Sequence, residues 1–518
     1  MIFRKNKDNA NPSGNEPPEG SDPDRIKSGV PRLDDILKGG FLRGGTYIVF
    51  GPPGAGKTIL GNQTCFNIIE QDDVHCLYVT LLTESHAKML RHLRPMSFFK
   101  EDVIAQQKLS YVSAFQVLKK EGPKGILDML RQTLKAHKAG VLVLDGIEAI
   151  NRLVPGEQEF VEFLYELMAL TQVYDCTTLL FTVGNPNAPH PENAIVDGVL
   201  ELSLGLIGPR ALRELTVHKF RGSDFLQGKH EVEITHRGIQ IHPRTEIQFD
   251  KPQGSAQEKR IRMGFGVKSL DDMLQGGPLS GSATALLGSP GTGKTFLGLS
   301  FLVEGARQGH CGIYYGFYEP PPRLIEKAES IGLPLKKYVD NGQIELMWQP
   351  PLEHYLDSLA EQLLEKIKKE NTKERQRLFI DGIEGFRAAN PYPDRMGRFL
   401  SAFTNQLRTF DVTTLISEEL GLFKPEVDMP NPELGNVVES IILLRLLELR
   451  SQLYRLLSVM KMRESQYDTT IREFRITPQG VLVDKSFEAA ELLLTGQGRV
   501  TSGGPLYPSS TQSEEKGS

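Results

Sequence analysis

The sequence is poor in cysteine, and its cysteines form no pattern. The chain of 518 residues contains four of them, Cys65, Cys76, Cys176 and Cys311, and no two form a C-x-x-C pair. Scattered single cysteines argue against a disulfide framework and against a zinc site, because both need paired or regularly spaced thiols. The eleven histidines and the single tryptophan show no ligand spacing either. We therefore expect buried free thiols in a reducing compartment.

Long apolar runs and a charge bias are also missing. No apolar stretch approaches the roughly 20 residues that cross a bilayer, and the N-terminus has no apolar signal core. The formal net charge is only -5, so nothing in the overall balance attracts nucleic acid or a membrane surface. With 39% hydrophobic and 24% charged residues, the composition is that of a globular protein. The sequence predicts a cytoplasmic protein of two or more domains, with no membrane partner.

A phosphate-binding loop of the form G-x-x-x-x-G-K-T occupies residues 51–58. It consists of Gly51, Pro52, Pro53, Gly54, Ala55, Gly56, Lys57 and Thr58. The apolar residues 47–50 before the loop predict a buried strand, and the residues after it predict a helix, which is the context this motif needs. Such a loop turns its N–H groups inward around an anion, and the helix adds its positive N-terminal end. We predict that Lys57 reaches the outer phosphates of a nucleotide and that Thr58 ligates Mg²⁺.

The segment before this loop, and the loop itself, occur twice. Residues 29–40 and 266–277 both read G-V-x-x-L-D-D-x-L-x-G-G. A second loop then follows, with the residues Gly288, Ser289, Pro290, Gly291, Thr292, Gly293, Lys294 and Thr295. Lys57 and Lys294 are 237 residues apart (294 minus 57). A period of that length is a whole domain, so the chain is a tandem duplication.

Two further landmarks repeat at nearly the same distance. The apolar residues 141–144 end in Asp145, and the apolar residues 378–380 end in Asp381, 236 positions later (381 minus 145). An acid at the end of a strand beside a phosphate loop predicts a ligand for Mg²⁺, together with Thr58 in the first half and Thr295 in the second.

The alternation of apolar strands with amphipathic helices predicts an α/β fold. Examples are the helix predicted over residues 160–170 and the strand predicted over residues 178–183. Each half is expected to be a mostly parallel sheet flanked by helices, with ligand loops at the carboxyl ends of the strands. The predicted organisation is a disordered tail over 1–24, a first domain over 25–242, a linker over 243–260, a second domain over 261–490, and a regulatory or disordered tail over 491–518.

Two domains that each open in this way resemble the KaiC family of RecA-type ATPases. The segments 219–223, 461–464 and 471–476 add to the resemblance, which covers about residues 25–500. It implies two tandem RecA-like P-loop NTPase domains that bind ATP and Mg²⁺. It also implies a homohexameric ring of two tiers, with nucleotide between the subunits, and a regulatory protein partner whose identity the sequence does not give. In that family a K-x-R pair reaches the nucleotide of the neighbouring subunit, which assigns this role to Lys219, Arg221, Lys461 and Arg463.

The sequence departs from the family at the carboxylates that activate water or a hydroxyl. Where the family has two consecutive glutamates, the first half has Leu82 and Thr83, and only a one-residue bulge would bring in Glu84. The second half has Tyr318 and Glu319. Loss of a general base typically costs about 10²–10⁴ in rate. We therefore expect the first site, with Lys57, to hold ATP, and the second site, with Lys294 and Glu319, to carry most of the catalysis.

A second departure concerns autophosphorylation. The positions of the family's adjacent Ser-Thr acceptors are Gly435 and Asn436 here, and neither has a hydroxyl. The leading hypothesis is an ATPase whose nucleotide state controls conformation and partner binding in signalling. The alternative is a serine/threonine autokinase that uses Glu319 and another hydroxyl, such as Ser417, Ser440 or one of residues 509–511.

A DNA-dependent recombinase or helicase motor shares the fold and is the third hypothesis. It would need basic loops facing a nucleic-acid channel. Only the short clusters 366–369 and 375–377 are basic, and we interpret them as a solvated helix end, so no nucleic-acid partner is expected. Two acidic features remain open: Glu148 and Glu384 follow the predicted Mg²⁺ ligands by three residues, and Glu418-Glu419 follow a predicted strand.

Overall fold

The computed structural model describes residues 24–82, 86–153, 156–184, 192–248, 260–350, 354–369, 375–421, 432–449, 451–463 and 465–484. The chain forms two compact units, Met1–Arg244 and Thr245–Ser518. The predicted tails, apart from Asp24, lie outside the described residues, and so do Thr83 and Glu84. The predicted domain boundaries remain predictions.

The first unit is built around one large sheet. Its elements are β1 (Arg25–Ile26), α1 (Leu33–Ile36), β2 (Phe41–Leu42), β3 (Thr46–Phe50), α2 (Lys57–Asp72), β4 (Cys76–Thr80), α3 (His86–Leu93), α4 (Glu101–Ala105), β5 (Leu109–Ser113), α5 (Phe115–His137), β6 (Val141–Asp145), α6 (Glu148–Leu153), α7 (Glu157–Val173), β7 (Thr177–Thr182), α8 (Glu192–Ile195), β8 (Gly198–Ile207), β9 (Arg210–Phe220), β10 (Lys229–Thr235) and β11 (Gly238–His242). Within the described residues, nine strands form the sheet in the order β11-β10-β9-β8-β3-β7-β6-β4-β5.

The phosphate-loop strand lies in the middle of this sheet. The strands from β8 to β5 are parallel, and β9, β10 and β11 continue the sheet in antiparallel fashion. Every residue of β3 is buried, because helices cover both faces. Tyr47 and Val49 belong to one apolar cluster, and Ile48 and Phe50 belong to another on the opposite face. The loop therefore starts at the buried centre of the sheet's carboxyl edge.

The second unit repeats this architecture. Its elements are a 3-10 helix (Thr245–Ile247), α9 (Lys268–Met273), β12 (Ala283–Gly288), α10 (Lys294–Arg307), β13 (Cys311–Gly316), α11 (Pro321–Ser330), α12 (Leu335–Asp340), β14 (Ile344–Trp348), α13 (Leu356–Lys369), β15 (Gln376–Asp381), α14 (Glu384–Ala389), a 3-10 helix (Pro393–Arg395), α15 (Met396–Thr409), β16 (Val412–Glu419), α16 (Pro432–Val437), β17 (Ser440–Leu449), β18 (Gln452–Met462), β19 (Arg472–Thr477) and β20 (Gly480–Val483).

The strand order β20-β19-β18-β17-β12-β16-β15-β13-β14 is the order of the first unit, strand for strand. The six strands from β17 to β14 are parallel, and the other three are antiparallel. The fold class predicted from the sequence, two mostly parallel sheets flanked by helices in tandem, is therefore confirmed.

A β-bulge occurs at the same place in both units. In the first unit, Lys219 pairs with Val199, but the next pair is Val217 with Leu200, so His218 is the extra residue. In the second unit the register between β17 and β18 shifts in the same way between Ile441 and Ile442, and Met460 is the extra residue. The bulge adjoins the lysine of the K-x-R pair in each unit.

A buried ionic cluster attaches the first residues of the second unit to its body. Arg395 donates two hydrogen bonds to Glu246, at 2.7 and 2.6 Å, and a third to Asp357 at 2.6 Å. Thr245 donates to the same Asp357 carboxylate through its backbone N–H and its hydroxyl, each at 2.9 Å. The side chain of Asp357 is fully buried, and those of Arg395 and Glu246 are only 10% exposed. Residues 245–247, inside the predicted linker span, thus pack on the second unit.

The interpretation of residues 375–377 as part of a solvated helix end is wrong for Arg377. This residue lies in β15 and is completely buried. Its guanidinium donates to the carbonyls of Gly264 and Phe301 and to the side chain of Gln308. Burial lowers the pKa of the Arg377 guanidinium to about 10. The basic residue serves the interior of the second unit and is not available to a nucleic acid.

Candidate functional sites

The structure brings the predicted loop and acid of the first unit together. β3 and β6 are both neighbours of β7, so their carboxyl ends meet at one edge. The Lys57 ammonium lies over the loop, where it donates to the carbonyls of Gly51 and Pro52. The hydroxyl of Thr58, at the start of α2, is 3.4 Å from Oδ2 of Asp145 at the end of β6.

The second unit has the same arrangement with shorter contacts. Lys294 donates to the carbonyl of Gly288 at 2.7 Å and to that of Ser289 at 3.1 Å. The Thr295 hydroxyl donates to Oδ2 of Asp381 at 3.0 Å. Each predicted pair of Thr and Asp is therefore within reach of a single ion.

Each of these sites contains a lysine and a carboxylate with little hydration. Burial lowers the pKa of the Lys57 and Lys294 ammonium groups, and it raises the pKa of the Asp145 and Asp381 carboxyls. A phosphate group next to the lysine and a cation next to the aspartate would each stabilise the charged form. The donor set therefore fits a nucleotide with Mg²⁺, which prefers carboxylate and hydroxyl oxygens and keeps water and phosphate as its other ligands.

A cavity of about 560 Å³ opens beside each loop. The first is lined by Pro53, Gly54, Gly56, Lys57, Thr58, Ile59, Leu82, Asp145, Glu148, Phe181, Thr182, Val183, Arg213 and Ile234. The second, of equal volume, is lined by Pro290, Gly291, Gly293, Lys294, Thr295, Phe296, Tyr314, Tyr318, Glu319, Lys327, Asp381, Gly382, Glu384, Ser417, Glu419, Arg455 and Ile476. The predicted Mg²⁺ ligands and loop lysines thus face a cavity in both units.

Sequence reasoning missed a tyrosine in each site. Tyr78 donates its hydroxyl to Asp145 at 2.9 Å, and Tyr314 donates to Asp381 at 3.0 Å. Burial raises the pKa of both tyrosines, so each hydroxyl keeps its proton and remains a donor. The signal was present in the sequence, because the tyrosines are 236 residues apart (314 minus 78), as the two aspartates are.

An arginine in each site was missed in the same way. Arg213 of β9 donates to the carbonyl of Gly54 at 3.3 Å, and Arg455 of β18 donates to that of Gly291 at 3.1 Å. Both line their cavities from the antiparallel side of the sheet. Each precedes the lysine of its K-x-R pair by six residues, which was the available signal.

The two sites differ in their other polar groups. Ser417 donates its hydroxyl to Oδ1 of Asp381 at 2.9 Å, and Glu419 lies 3.9 Å from the Lys294 ammonium. Counting back 236 positions, the first unit has Phe181 and Val183 at these places. Glu319 lines only the second cavity, where it forms an ion pair with Lys327. The second site therefore has more carboxylate and hydroxyl groups.

The acids Glu418 and Glu419 belong to β16 itself, which extends beyond the predicted strand end at Ser417. Consecutive strand residues point to opposite faces, so the two side chains have different surroundings. Glu418 is completely buried and pairs with Arg387 of α14, whereas Glu419 faces the cavity. Burial raises the pKa of the Glu418 carboxyl, although Arg387 opposes the shift.

The K-x-R residues lie apart from the cavity of their own unit. Lys219 donates to the carbonyls of Asn193, Ala194 and Val196 around the end of α8, and Arg221 donates to Ala194 and Ile195. In the second unit, Lys461 donates to Gly435 and Val438, and Arg463 donates to Asn436, around the end of α16. Neither pair lines its own cavity. Their predicted contact with a neighbouring subunit's nucleotide stays a prediction.

The alternative phosphate acceptors Ser417 and Ser440 are buried. The Ser417 hydroxyl is engaged twice, because it donates to Asp381 and accepts from the Gly382 N–H at 2.8 Å. Residues 509–511 lie outside the described residues. Gly435 and Asn436 lie in α16, where their carbonyls bind the K-x-R pair.

Comparison with known proteins identifies the family. A model of the KaiC ATPase family matches the chain twice, over residues 26–246 and 263–488. The chain belongs to the KaiC family. Similar curated KaiC proteins include the circadian clock oscillator protein KaiC of Rippkaea orientalis, which is 25% identical over 484 residues, 91% of each chain. KaiC 1 of a Synechocystis species is 25% identical over 91% of each chain, and KaiC of a Nostoc species is 24% identical over 96% of this chain and 95% of its own.

Membership of the KaiC family makes this chain a relative of ATPases with two RecA-like domains, and the phosphate loops fit that assignment. In the residues that the structure describes, no helix combines the length and apolar character needed to span a membrane. In the same residues, no group of three or more His, Cys, Asp or Glu side chains could hold a metal ion. A KaiC-type Mg²⁺ would accordingly depend on few protein ligands.

Proposed function

We propose that this protein is an oligomeric ATPase with two Mg²⁺·ATP sites in each chain, whose nucleotide state controls conformation and partner binding in signalling. One observation carries the proposal: in both units, a loop lysine, a loop threonine and a strand-end aspartate meet beside a cavity of about 560 Å³. Lys57 and Lys294 bind the outer phosphates, with the backbone of residues 51–58 and 288–295 around them. Thr58 with Asp145, and Thr295 with Asp381, hold Mg²⁺, which neutralises charge on the phosphates.

The two sites have unequal roles in this proposal. Glu319 acts as general base in the second site, and the first unit has a threonine, Thr83, at the matching position (319 minus 236). The second site therefore carries most of the hydrolysis, and the first site holds ATP for longer. Trapped nucleotide in one half of the chain would support a stable assembly, while turnover in the other half would change its shape.

The assembly is a homohexameric ring, in which Lys219 and Arg221, and likewise Lys461 and Arg463, bind the nucleotide of the adjacent subunit. The family resemblance and the position of these residues away from their own cavities support this role. Such contacts exist only while a phosphate is present, so they link nucleotide state to ring conformation. The partner is a regulatory protein in the cytoplasm, and neither a nucleic acid nor a membrane is part of the proposal.

Autokinase activity is not part of the proposal. The names of the relatives describe a clock oscillator. At the acceptor positions of that family this chain has Gly435 and Asn436, and the nearby Ser440 is buried. The hydroxyl of Ser417 is committed to Asp381.

The proposal predicts two nucleotides per chain. Equilibrium dialysis with a non-hydrolysable ATP analogue and Mg²⁺ should give two sites for the wild-type protein and one each for Lys57→Ala and Lys294→Ala. Sedimentation velocity on the same samples should show a hexamer that depends on nucleotide. Lys268→Ala is a matched control, because this lysine is exposed and pairs only with Asp272 of its own helix. Two bound analogues in either loop variant would contradict the assignment of that loop.

Glu419 is expected to weaken ATP binding in the second site. Its carboxylate, 3.9 Å from the Lys294 ammonium, competes with phosphate for that charge and repels it. In the Lys57→Ala background, which isolates the second site, Glu419→Val should tighten analogue binding by about fivefold, which corresponds to ~1 kcal/mol. Valine is the residue of the first unit at this place. Glu448→Val, at an exposed position of β17, should leave the affinity unchanged. Weaker binding in Glu419→Val would contradict the repulsion.

A further inference from the structure

The first residue of α6 and the first residue of α14 share an unusual feature. Glu148 and Glu384 each follow the strand-end aspartate by three residues and are 236 residues apart (384 minus 148). In each of them, Oε2 is buried and has no hydrogen-bond partner. A buried carboxylate oxygen without a partner is costly and rare, so its presence at the same place in two units calls for a ligand atom.

Both carboxylates face the proposed ATP sites. Glu148 lines the first cavity with Lys57, Thr58 and Asp145, and Glu384 lines the second. The orientation of Glu384 is fixed, because its Oε1 accepts the backbone N–H of Glu419 at 2.8 Å. This contact leaves Oε2 as the acceptor that is not used within the protein.

A glycine keeps the space beside this oxygen open. Gly382 directly follows Asp381, and a Cβ atom at this position would come within 3.4 Å of Oε2 of Glu384. Its φ of 97°, and the φ of 91° at the matching Gly146, lie in the left-handed region that favours glycine. The backbone between the aspartate and the glutamate thus leaves room for a small molecule such as water.

In the first site the choice of a base is narrow. Among the described lining residues, the carboxylates are Asp145 and Glu148. Asp145 is engaged by the hydroxyls of Thr58 and Tyr78 and is assigned to Mg²⁺. Val183 and Leu82, at the positions of Glu419 and Tyr318, cannot accept a proton. Glu148 is the lining carboxylate that remains.

We propose that Glu148 is the general base of the first site and that Glu384 has the same role beside Glu319 in the second, an inference that rests on the proposed ATPase function. Oε2 accepts a hydrogen bond from a water molecule and takes its proton as the water oxygen bonds to the γ-phosphorus. The bond between the γ-phosphorus and the bridging oxygen breaks, and its electron pair remains on the β-phosphate of ADP. The proton on the glutamate then leaves to solvent, and the products are ADP and phosphate.

The second site has two carboxylates available for this step. Glu319 also has a buried Oε2 without a partner, although its other oxygen is held by Lys327. Loss of either carboxylate there can be compensated in part by the other. The first site has no such reserve among its described residues, which makes it the sharper place for a test.

The experiment measures residual turnover in the Lys294→Ala background, where only the first site binds ATP. In this background, Glu148→Gln should lower kcat by roughly 10²–10⁴, while the Kd of a non-hydrolysable ATP analogue stays within about threefold. Glu148→Asp keeps the carboxylate one methylene further back and should retain part of the activity. Glu166→Gln, an exposed glutamate of α7, is the control and should match the parent.

Two results would overturn the inference. One is unchanged kcat in Glu148→Gln, in particular if Glu84→Gln abolishes turnover instead. The other is an absence of turnover in the Lys294→Ala parent while it still binds the analogue. A parent that binds no analogue at the first site contradicts the proposed ATPase function itself, which separates the two failures.

Discussion

Lys294→Ala is expected to abolish most ATP turnover of the chain, by about 10² in kcat. The ammonium of Lys294 is oriented by two loop carbonyls and is the principal positive charge at the outer phosphates of the second site. Its removal leaves the charge that develops on the transferred phosphoryl group without compensation. Steady-state phosphate release at saturating ATP is the measurement, and residual activity in this variant belongs to the first site.

The matching variant of the first loop should behave differently. Lys57→Ala removes an equivalent contact, but from a site that lacks Glu319, Ser417 and Glu419. We expect it to keep most of the turnover and to weaken the hexamer, which sedimentation velocity would record. Glu319→Gln should resemble Lys294→Ala in turnover, whereas Glu326→Gln on the exposed face of α11 should not. If Lys57→Ala alone stops hydrolysis, the assignment of catalysis to the second site is wrong.

Arg395→Met is expected to destabilise the second unit by about 3–5 kcal/mol. The guanidinium compensates two buried carboxylates, Glu246 and Asp357, and methionine would leave both charges in a poorly hydrated interior. The cost comes from the uncompensated charges, because methionine fills a similar volume.

The single tryptophan makes this effect measurable in one unit. Trp348 ends β14 of the second unit and is 41% exposed, so its fluorescence in a guanidinium titration follows that unit alone. Arg398→Met, at an exposed position of α15, is the matched control and should unfold as the wild type does. A midpoint for Arg395→Met equal to that of Arg398→Met would show that the cluster contributes little.

Local motifs explain why the fold and the phosphate loops could be predicted. The loop sequence dictates its own strand, turn and helix, and the duplication repeats each signal. The predicted helix over 160–170 lies inside α7, and the predicted strand over 178–183 coincides with β7 to within one residue at each end. Periodicity is reliable here because the strands are buried on both faces and the helices on one.

The remaining site residues depend on which strands become neighbours. Tyr78 reaches Asp145 because β4 and β6 pair in register, with Thr80 opposite Asp145. Arg213 reaches Gly54 because β9 lies beyond β8 in the sheet, an order that no local pattern encodes. Arg377 was misjudged for the same reason, since its acceptors come from residues about 70 to 110 positions away. Charge alone predicted exposure, and the three-dimensional partners reversed it.

The shared β-bulge has a consequence for the history of the chain. A bulge needs one extra residue in a strand, so substitutions alone do not create it. Both units have it at the same register, at His218 and at Met460, although these residues share no chemistry. The ancestral single domain therefore already had this bulge before its gene was duplicated. The chemical inequality of the two sites, Phe181 against Ser417 and Val183 against Glu419, arose later by point substitution on an inherited framework.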